Sequence, residues 1–254
     1  MELRAWRRKR ENAVSRTEIS IEYGIQIKMR MVGGRWAMEG MVGKGYRIDV
    51  GRGSGYISFL RKYTFNGMKR LIDILLSFVG LIISIPIIIA AGILVRIETE
   101  GPILYTQERV GKDGRIFLIY KLRTMNSNAE MDGIQWAQRN DSRITKVGRV
   151  LRKTRIDELP QLINILKGEM SIVGPRPERL YFITEFSKDL PEFSERLAVR
   201  PGLTGWSQVN GGYELSPAEK LEKDLYYIEN QSILLDIIII LKTIRILVTF
   251  EGAR

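Results

Sequence analysis

The sequence predicts a mostly helical α+β fold that sits on a membrane, and three observations lead to this prediction. The 25 residues from Leu71 to Val95 carry a single charge, Asp73, which is enough apolar length for a membrane helix. Much of the chain that follows has short helical patterns. The segment from Ile103 to Leu122 predicts a small β-hairpin, because the turn signal GKDG separates ILYTQERV from IFLIYKL.

The composition of the 254-residue chain restricts its chemistry. Cysteine and histidine are both absent, so disulfides, thiolate metal sites and the usual general base are excluded. Carboxylates, hydroxyls, lysines and a hard metal ion remain as reactive groups.

The net charge of +11 comes from the start of the chain. Residues 1–70 hold 16 Lys and Arg against 6 Asp and Glu, and the rest hold 24 against 23. We predict that residues 1–65 form a basic, glycine-containing arm with no sustained period, which need not be ordered. A basic arm suits an anionic membrane or a nucleic acid. The near-neutral remainder gives no reason to expect a nucleic-acid partner.

The apolar segment from Leu71 to Val95 leaves two topologies open. Its length favours a simple span. Pro86 lies near its middle, where it interrupts helical hydrogen bonding, and basic residues flank both ends. From the residues alone, a single span and a re-entrant helical hairpin over residues 66–98 are equally supported, and a buried soluble helix less so.

The other predicted helices follow the hairpin. Lys146 to Arg155 predicts a helix with a basic stripe, and Leu159 to Leu166 predicts a helix with Pro160 in its first turn and Gly168 near its end. The apolar stretch from Ile233 to Phe250 contains Asp236, Lys242 and Arg245. It suits an interfacial helix and an ordinary core helix with charged ends about equally well.

Asp157 and Glu158 are the most reactive-looking pair in the chain. Acidic residues before a proline-containing first turn commonly cap a helix, and this interpretation is favoured locally. Nearby cations also fit a phosphate site beside a carboxylate. Five precede the pair within a dozen residues: Lys146, Arg149, Arg152, Lys153 and Arg155.

Two further segments have the character of ligand sites. In GEMSIVGPRPERL, Pro175 and Pro177 stiffen the backbone around Arg176, although a surface turn would have the same sequence. In RPGLTGWSQVNGG, which begins at Arg200, four glycines permit a close backbone approach to a ligand. A structural loop is the safer interpretation of that segment alone.

Taken together, these segments resemble the monotopic phosphoglycosyl transferases, the bacterial sugar transferase family, from Asn66 to Arg254. The resemblance rests on five ordered motifs: GPILYTQERV, KLRTM, LRKTRIDELPQ, GEMSIVGPRP and RPGLTGWSQVNG. The run EKLEKDLYYIEN resembles members that make exopolysaccharide or capsule precursors.

The resemblance implies a function and a set of site residues. Sugar 1-phosphate would pass from a nucleoside diphosphate sugar, usually a UDP-sugar, to polyprenyl (undecaprenyl) phosphate, with release of UMP. Asp157 would be the nucleophile and lie near Mg²⁺, and Glu158 would assist proton transfer. The implied donor and phosphate residues are Lys121, Arg123, Arg152, Pro175, Arg176, Pro177 and Arg200.

The resemblance also favours the re-entrant hairpin, with Ser84 and Pro86 at its break. Residues 99–254 would then form a catalytic domain at the cytoplasmic face of the bacterial inner membrane, with an interfacial C-terminal helix. A homo-oligomer is compatible with this arrangement. The alternatives are a membrane-associated glycosyltransferase that releases UDP and a basic, membrane-tethered binding protein.

Overall fold

The computed structural model describes the chain in segments. Backbone is described for Arg16–Ile21, Ile25–Val32, Arg35–Val42, Tyr46–Val50 and 54–64, and side chains as well for 65–126, 129–131, 133 and 141–249, apart from the Tyr213 side chain. The chain divides into two compact units, residues 1–67 and 68–254. The assignment of an arm, a membrane segment and a catalytic domain to particular ranges stays a prediction.

The first unit contains four strands that the sequence analysis did not predict. They are β1 (Arg16–Ile21), β2 (Ile25–Val32), β3 (Arg35–Val42) and β4 (Tyr46–Val50). They pair antiparallel in chain order, with Ile27 opposite both Ile19 and Gly40. The signal was present, because residues 25–32 alternate apolar and polar residues through IQIKMRM.

Helix α1 (Ser54–Glu98) contains the predicted membrane segment. It is long and apolar enough to cross a membrane over Phe65–Glu98, alone among the helices of the described residues. The helix continues through Pro86 without interruption, so the structure contains no separate break there. Pro86 has no amide hydrogen and so leaves the Ile82 carbonyl without its usual donor. Ser84 donates its hydroxyl to the neighbouring Leu81 carbonyl instead, at 3.2 Å.

One face of α1 packs on the domain that follows. Its buried and half-buried positions recur every three to four residues, the spacing of a single helix face; they include Asp73, Ser77, Leu81, Ser84, Ile88, Ala91 and Val95. Between residues 71 and 95 the other face of the helix is apolar and exposed, as at Leu71 (58%), Ile83 (64%) and Ile89 (58%). A continuous apolar surface of this kind needs a membrane or a partner to cover it.

The predicted hairpin is confirmed. Strands β5 (Leu104–Val110) and β6 (Ile116–Leu122) pair antiparallel, with Leu104 opposite Leu122. Gly114 takes a left-handed conformation in the turn, at φ 76°. The inward residues Phe117 and Ile119 pack with Ile165 and Met170 to form one core cluster.

The remaining helices are short. They are α2 (Lys146–Thr154), α3 (Leu162–Lys167), α4 (Leu180–Asp189), α5 (Trp206–Val209), α6 (Pro217–Glu229) and α7 (Ile233–Thr249). The predicted helix from Lys146 to Arg155 agrees with α2. The helix predicted from Leu159 begins later, at Leu162, because Pro160 lies in the 3-10 segment that precedes α3. Gly168 ends α3 in a left-handed conformation at φ 87°, as predicted. Three 3-10 segments lie between these helices in the described part of the chain: Ile156–Gln161, Pro191–Ala198 and Gly212–Glu214. The domain is therefore mostly helical, as predicted.

A short parallel pair, β7 (Ser171–Val173) and β8 (Gly202–Thr204), lies at the centre of the domain. Asp73 of α1 reaches this pair, where it accepts hydrogen bonds from the Ser171 hydroxyl at 3.1 Å and the Ile172 backbone amide at 3.0 Å. A carboxylate in an apolar helix is stable when it is hydrogen-bonded in this way. The contact fixes α1 to the domain.

The C-terminal helix α7 has two faces. Leu235, Asp236 and Ile239 are buried against the domain, and Asp236 pairs with Lys69 of α1 at 2.7 Å. The opposite face is an exposed apolar stripe with helical spacing: Leu234, Ile237, Leu241, Ile244 and Val248. Lys242 does not face outward with Arg245, because its ammonium bonds Asn210 Oδ1 at 2.8 Å and lies over the Trp206 ring.

Candidate active site

Asp157 and Glu158 begin a new turn after α2. That helix ends at Arg155, which adopts the left-handed conformation (φ 59°, ψ 14°) that is uncommon for a non-glycine residue. The following 3-10 segment turns both carboxylates inward, leaving Asp157 5% and Glu158 7% exposed. Neither side chain caps a helix. The local capping interpretation is therefore wrong.

Three cations surround Glu158. Its carboxylate accepts from Arg176 at 2.6 Å and from Lys121 at 3.1 Å, and Arg155 lies 3.8 Å away. Burial alone would raise the pKa of Glu158, but the charges of Arg176, Lys121 and Arg155 hold it well below its usual range. Glu158 is thus a fixed anion that orients three cations.

Asp157 has a different environment from its neighbour. Its Oδ1 atom is buried and has no hydrogen-bond partner among the described residues. Burial, followed by the charge of Glu158, raises the pKa of Asp157 to about 6, and Lys121 and Arg152 oppose that rise. A buried carboxylate oxygen without a donor is costly unless something else binds it. Asp157 Oδ1 is therefore a carboxylate oxygen that the described residues leave without a hydrogen-bond donor.

Lys121 and Arg152 reach the site from two elements that pack closely together. Lys121 lies near the end of β6, and Arg152 of α2 donates from Nε to the Thr124 hydroxyl at 2.8 Å. Gly148 permits this approach, because a Cβ there would lie 2.1 Å from the Thr124 carbonyl oxygen. Glu98 fixes the start of α2 by accepting from the Lys146 and Val147 amides at 2.7 and 3.0 Å.

Arg176 enters the site from the segment that follows β7. Pro175 and Pro177 on either side are both buried, and the Arg176 guanidinium extends from between them to Glu158. The structure therefore brings together Lys121, Arg152 and Arg176 around the two carboxylates.

Arg123 and Arg200 lie elsewhere. The Arg123 guanidinium bonds the Glu100 and Thr99 carbonyls, at 2.5 and 2.8 Å, just beyond the end of α1. Arg200 donates to the Gly168 carbonyl at 2.9 Å, past the end of α3. These contacts hold helix ends, and a donor-binding role for the two residues stays a prediction.

The glycines of the last two motifs contact the protein's own backbone. A Cβ on Gly174 would lie 2.4 Å from the Arg200 carbonyl oxygen, and one on Gly202 would lie 2.1 Å from the Gly174 amide nitrogen. A Cβ on Gly205 would lie 2.2 Å from the Gly174 carbonyl oxygen. These glycines therefore allow β7 and β8 to pair, as the structural interpretation of that loop expects.

The residues present suit a hard cation that takes only one or two protein ligands. Within the part of the chain that the structure describes, no three Asp or Glu side chains gather in a cluster that could hold a metal ion. Mg²⁺ commonly binds one or two carboxylates and completes its shell with water and phosphate oxygens. The unpartnered Asp157 Oδ1 fits such a ligand.

Sequence reasoning missed Arg196 and Asp224 as residues of the site region. Arg196 donates to Asp224 Oδ2 at 2.6 Å and to the Arg176 carbonyl at 3.0 Å, and both side chains are buried. The signal was the run EKLEKDLYYIEN, which contains Asp224. Its helical pattern does not reveal that an arginine 28 residues earlier lies against it.

Comparison with known proteins gives the decisive observation. Residues 64–250 match the family model described as bacterial sugar transferase. The chain belongs to the bacterial sugar transferase family. The matched range contains all five motifs of the resemblance, and the interpretation as a phosphoglycosyl transferase is confirmed at the level of the family.

Several curated members of the bacterial sugar transferase family are similar to the chain. A UDP-N-acetylgalactosamine-undecaprenyl-phosphate N-acetylgalactosaminephosphotransferase of Aeromonas hydrophila is 46% identical over 74% of this chain and 45% of its own length. A UDP-glucose:undecaprenyl-phosphate glucose-1-phosphate transferase of Caulobacter vibrioides is 36% identical over 83% of this chain and 82% of its own length. An exopolysaccharide production protein of Rhizobium leguminosarum is 37% identical over 70% of this chain and 93% of its own length. The chain thus spans less than half of the first relative and most of the other two.

Proposed function

We propose that this family member transfers sugar 1-phosphate from a UDP-sugar to undecaprenyl phosphate, releases UMP and thereby initiates the assembly of an exopolysaccharide or related glycan. The relatives are named for this transfer and for exopolysaccharide production. Their names differ in the sugar, so the donor sugar is left open here. The observation that carries the proposal is the buried Asp157 Oδ1, which has no hydrogen-bond partner in the described part of the chain and lies beside a Glu158 that three cations hold in place.

Asp157 is the proposed nucleophile. With histidine and cysteine absent from the sequence, a carboxylate is a suitable nucleophile for phosphorus. Its pKa of about 6 leaves it mostly ionised at neutral pH while making it more basic than an ordinary aspartate. The Glu158 oxygen atoms, by contrast, are engaged by Arg176 and Lys121.

The proposed reaction has two displacements at one phosphorus atom. An Asp157 carboxylate oxygen attacks the phosphorus that carries the sugar, and the bond between that phosphorus and the bridging oxygen breaks, so that UMP leaves with the electron pair. An oxygen of undecaprenyl phosphate then attacks the same phosphorus. This step frees the Asp157 carboxylate and yields undecaprenyl diphospho-sugar.

The cations of the site stabilise the transferring group in this proposal. Lys121, Arg152 and Arg176 supply fixed positive charge where negative charge spreads over phosphoryl oxygens. Glu158 holds Lys121 and Arg176 in position, and its depressed pKa favours this role over the proton transfer that the resemblance implied. Mg²⁺, held by Asp157 and by donor phosphate oxygens, would neutralise charge on the diphosphate.

The identity of the released nucleotide tests the proposed function. Purified protein in detergent with Mg²⁺, undecaprenyl phosphate and a panel of UDP-sugars should release UMP and form a diphosphate-linked lipid product with at least one donor. Release of UDP with a monophosphate-linked product would instead identify a glycosyltransferase that moves the sugar alone. Failure of every donor to give either nucleotide would favour a binding protein.

We also propose that α1 enters the cytoplasmic leaflet and returns, so that both of its ends stay at one membrane face. Contacts with the domain recur along α1, from the Lys69–Asp236 ion pair to the cluster of Ala91 and Val95 with Leu122 and Leu151. Residues 69–95 extend about 40 Å as a helix. A perpendicular span would draw the attached domain and its charges into the hydrocarbon core, at high cost. The helix is continuous through Pro86 in the structure, and a return path would require it to bend at this proline.

The topology has a direct test in cells. Single cysteines introduced at Ser54, the first residue of α1, and at Asp113, in the turn between β5 and β6, should react with a membrane-impermeant maleimide only after the inner membrane is opened. The natural chain has no cysteine to interfere. Labelling of one position in intact spheroplasts, with the other protected, would replace the proposed arrangement with a span.

A further inference from the structure

The backbone of residues 175–178 is fixed in place at every carbonyl. The Pro175 carbonyl accepts from the Gly202 amide at 2.8 Å, and the Glu178 carbonyl accepts from the Val110 amide at 3.0 Å. The two carbonyls between them accept from arginine side chains, Arg176 from Arg196 at 3.0 Å and Pro177 from Arg109 at 3.2 Å. Charged donors make the stronger hydrogen bonds, so this segment depends on two guanidiniums, the buried one of Arg196 and the half-buried one of Arg109.

Arg196 is in turn positioned by α6. Its Nη2 atom donates both to the Arg176 carbonyl and to Asp224 Oδ2, and Asp224 Oδ1 accepts from Ser207 at 2.8 Å. The Arg196 and Asp224 side chains are only 3% and 1% exposed. When one ion of such a buried pair is removed, the charge of the other is left uncompensated. Asp224 thus determines where the Arg196 guanidinium sits.

We propose that Arg196 and Asp224 are positioning residues for Arg176, acting through its backbone carbonyl to hold its guanidinium against Glu158 and the donor diphosphate. This inference rests on the proposed function and adds two residues to it. Neither residue reaches Glu158 in the structure; each acts through the segment that carries Arg176. The run EKLEKDLYYIEN therefore contributes to the active site from a helix outside it.

A double-mutant cycle tests this inference, because residues that act through one group give non-additive effects. We expect Asp224→Asn to lower kcat/KM for the donor about 10-fold and Arg176→Ala to lower it about 100-fold. Since Asp224 acts through Arg176, adding Asp224→Asn to Arg176→Ala should lower it by less than about 2-fold further. If Asp224→Asn lowered kcat/KM by the same factor in the wild-type and Arg176→Ala proteins, the proposal would be overturned.

Asp236→Asn is the matched control. Asp236 is also a buried carboxylate, with Lys69 at 2.7 Å and the Tyr227 hydroxyl at 2.8 Å, but it does not contact residues 175–178. Both asparagine variants should lower the melting temperature. Whatever factor Asp236→Asn takes from kcat/KM, that factor should be the same in the wild-type and Arg176→Ala backgrounds. If Asp224 had a purely structural role, Asp224→Asn would behave in the same additive way.

A second variant guards against misfolding of Asp224→Asn. Arg196→Lys keeps a positive charge beside Asp224 but shortens the reach to the Arg176 carbonyl, and the same non-additivity is expected; additive factors for this variant would also overturn the proposal. For each cycle, the ratio of kcat/KM between variants is measured by release of whichever nucleotide the wild type produces. The ratio of donor dissociation constants is measured as well. Wild-type release of UDP would therefore contradict the proposed function alone, while equal factors would contradict only the positioning role.

Discussion

Replacing Asp157 with asparagine is expected to abolish transfer, with a loss in kcat of at least about 1,000-fold. The substitution preserves the size of a side chain that is 5% exposed, but an amide oxygen is a poor nucleophile and a weaker ligand for a hard cation. Steady-state UMP release with a donor and undecaprenyl phosphate measures the loss. The melting temperature should change little, because the Asp157 Oδ1 atom has no partner to lose among the described residues.

The control for this prediction is Asp189→Asn. Asp189 is an exposed carboxylate at the end of α4 and should tolerate the same change with nearly full activity. If Asp157→Asn retained a tenth of the wild-type rate, the nucleophile would have to be another group, and Glu158 would be the first to examine.

Replacing Gly202 with alanine is expected to cost about 3 kcal/mol of folding free energy. The new Cβ would lie 2.1 Å from the Gly174 amide nitrogen and 2.3 Å from the Thr204 carbonyl oxygen. Both contacts are to backbone, so no side-chain rotation relieves them, and β7 must separate from β8. For a domain of this size the melting temperature should fall by roughly 8 °C. Activity should fall too, because the Gly202 amide bonds the Pro175 carbonyl beside Arg176.

Gly67→Ala is the matched control for the glycine prediction. Gly67 is exposed within α1, and a Cβ there meets no atom within 4 Å. Alanine is the better helix former by about 1 kcal/mol, so the melting temperature should stay the same or rise slightly. A fall for Gly67→Ala as large as for Gly202→Ala would mean that close backbone contact is not the cause.

Local signals in the sequence predicted several of the elements that depend on local interactions, although strands β1 to β4, which also pair with their neighbours in the chain, were not predicted. The β5–β6 hairpin follows from alternation and a turn, and α3 from Pro160 and Gly168, because each pattern is complete within about 20 residues. Strands β7 and β8 have three residues each, and their paired residues lie 31 positions apart in the sequence. So short a strand has no detectable period, and the parallel pairing was not predicted.

The candidate site was only partly predictable for a similar reason. Asp157 and Glu158 were identified from their type and neighbours, but their different environments depend on Lys121 and Arg176, which arrive from distant segments. Arg200 follows the same motif logic as Arg176, yet its guanidinium reaches the Gly168 carbonyl instead. A motif gives the residue type, and only the fold decides which way each arginine points.

The covalent intermediate on Asp157 is the central claim, and incubation of the protein with donor alone tests it most directly. With Mg²⁺ and a UDP-sugar but no undecaprenyl phosphate, the wild type should release UMP in a single burst no larger than the amount of enzyme. Mass spectrometry should then find one sugar phosphate on the peptide that contains Asp157, and the Asp157→Asn variant should give neither burst nor adduct. An adduct on that variant, or UMP release from the wild type only after the acceptor is added, would contradict the account.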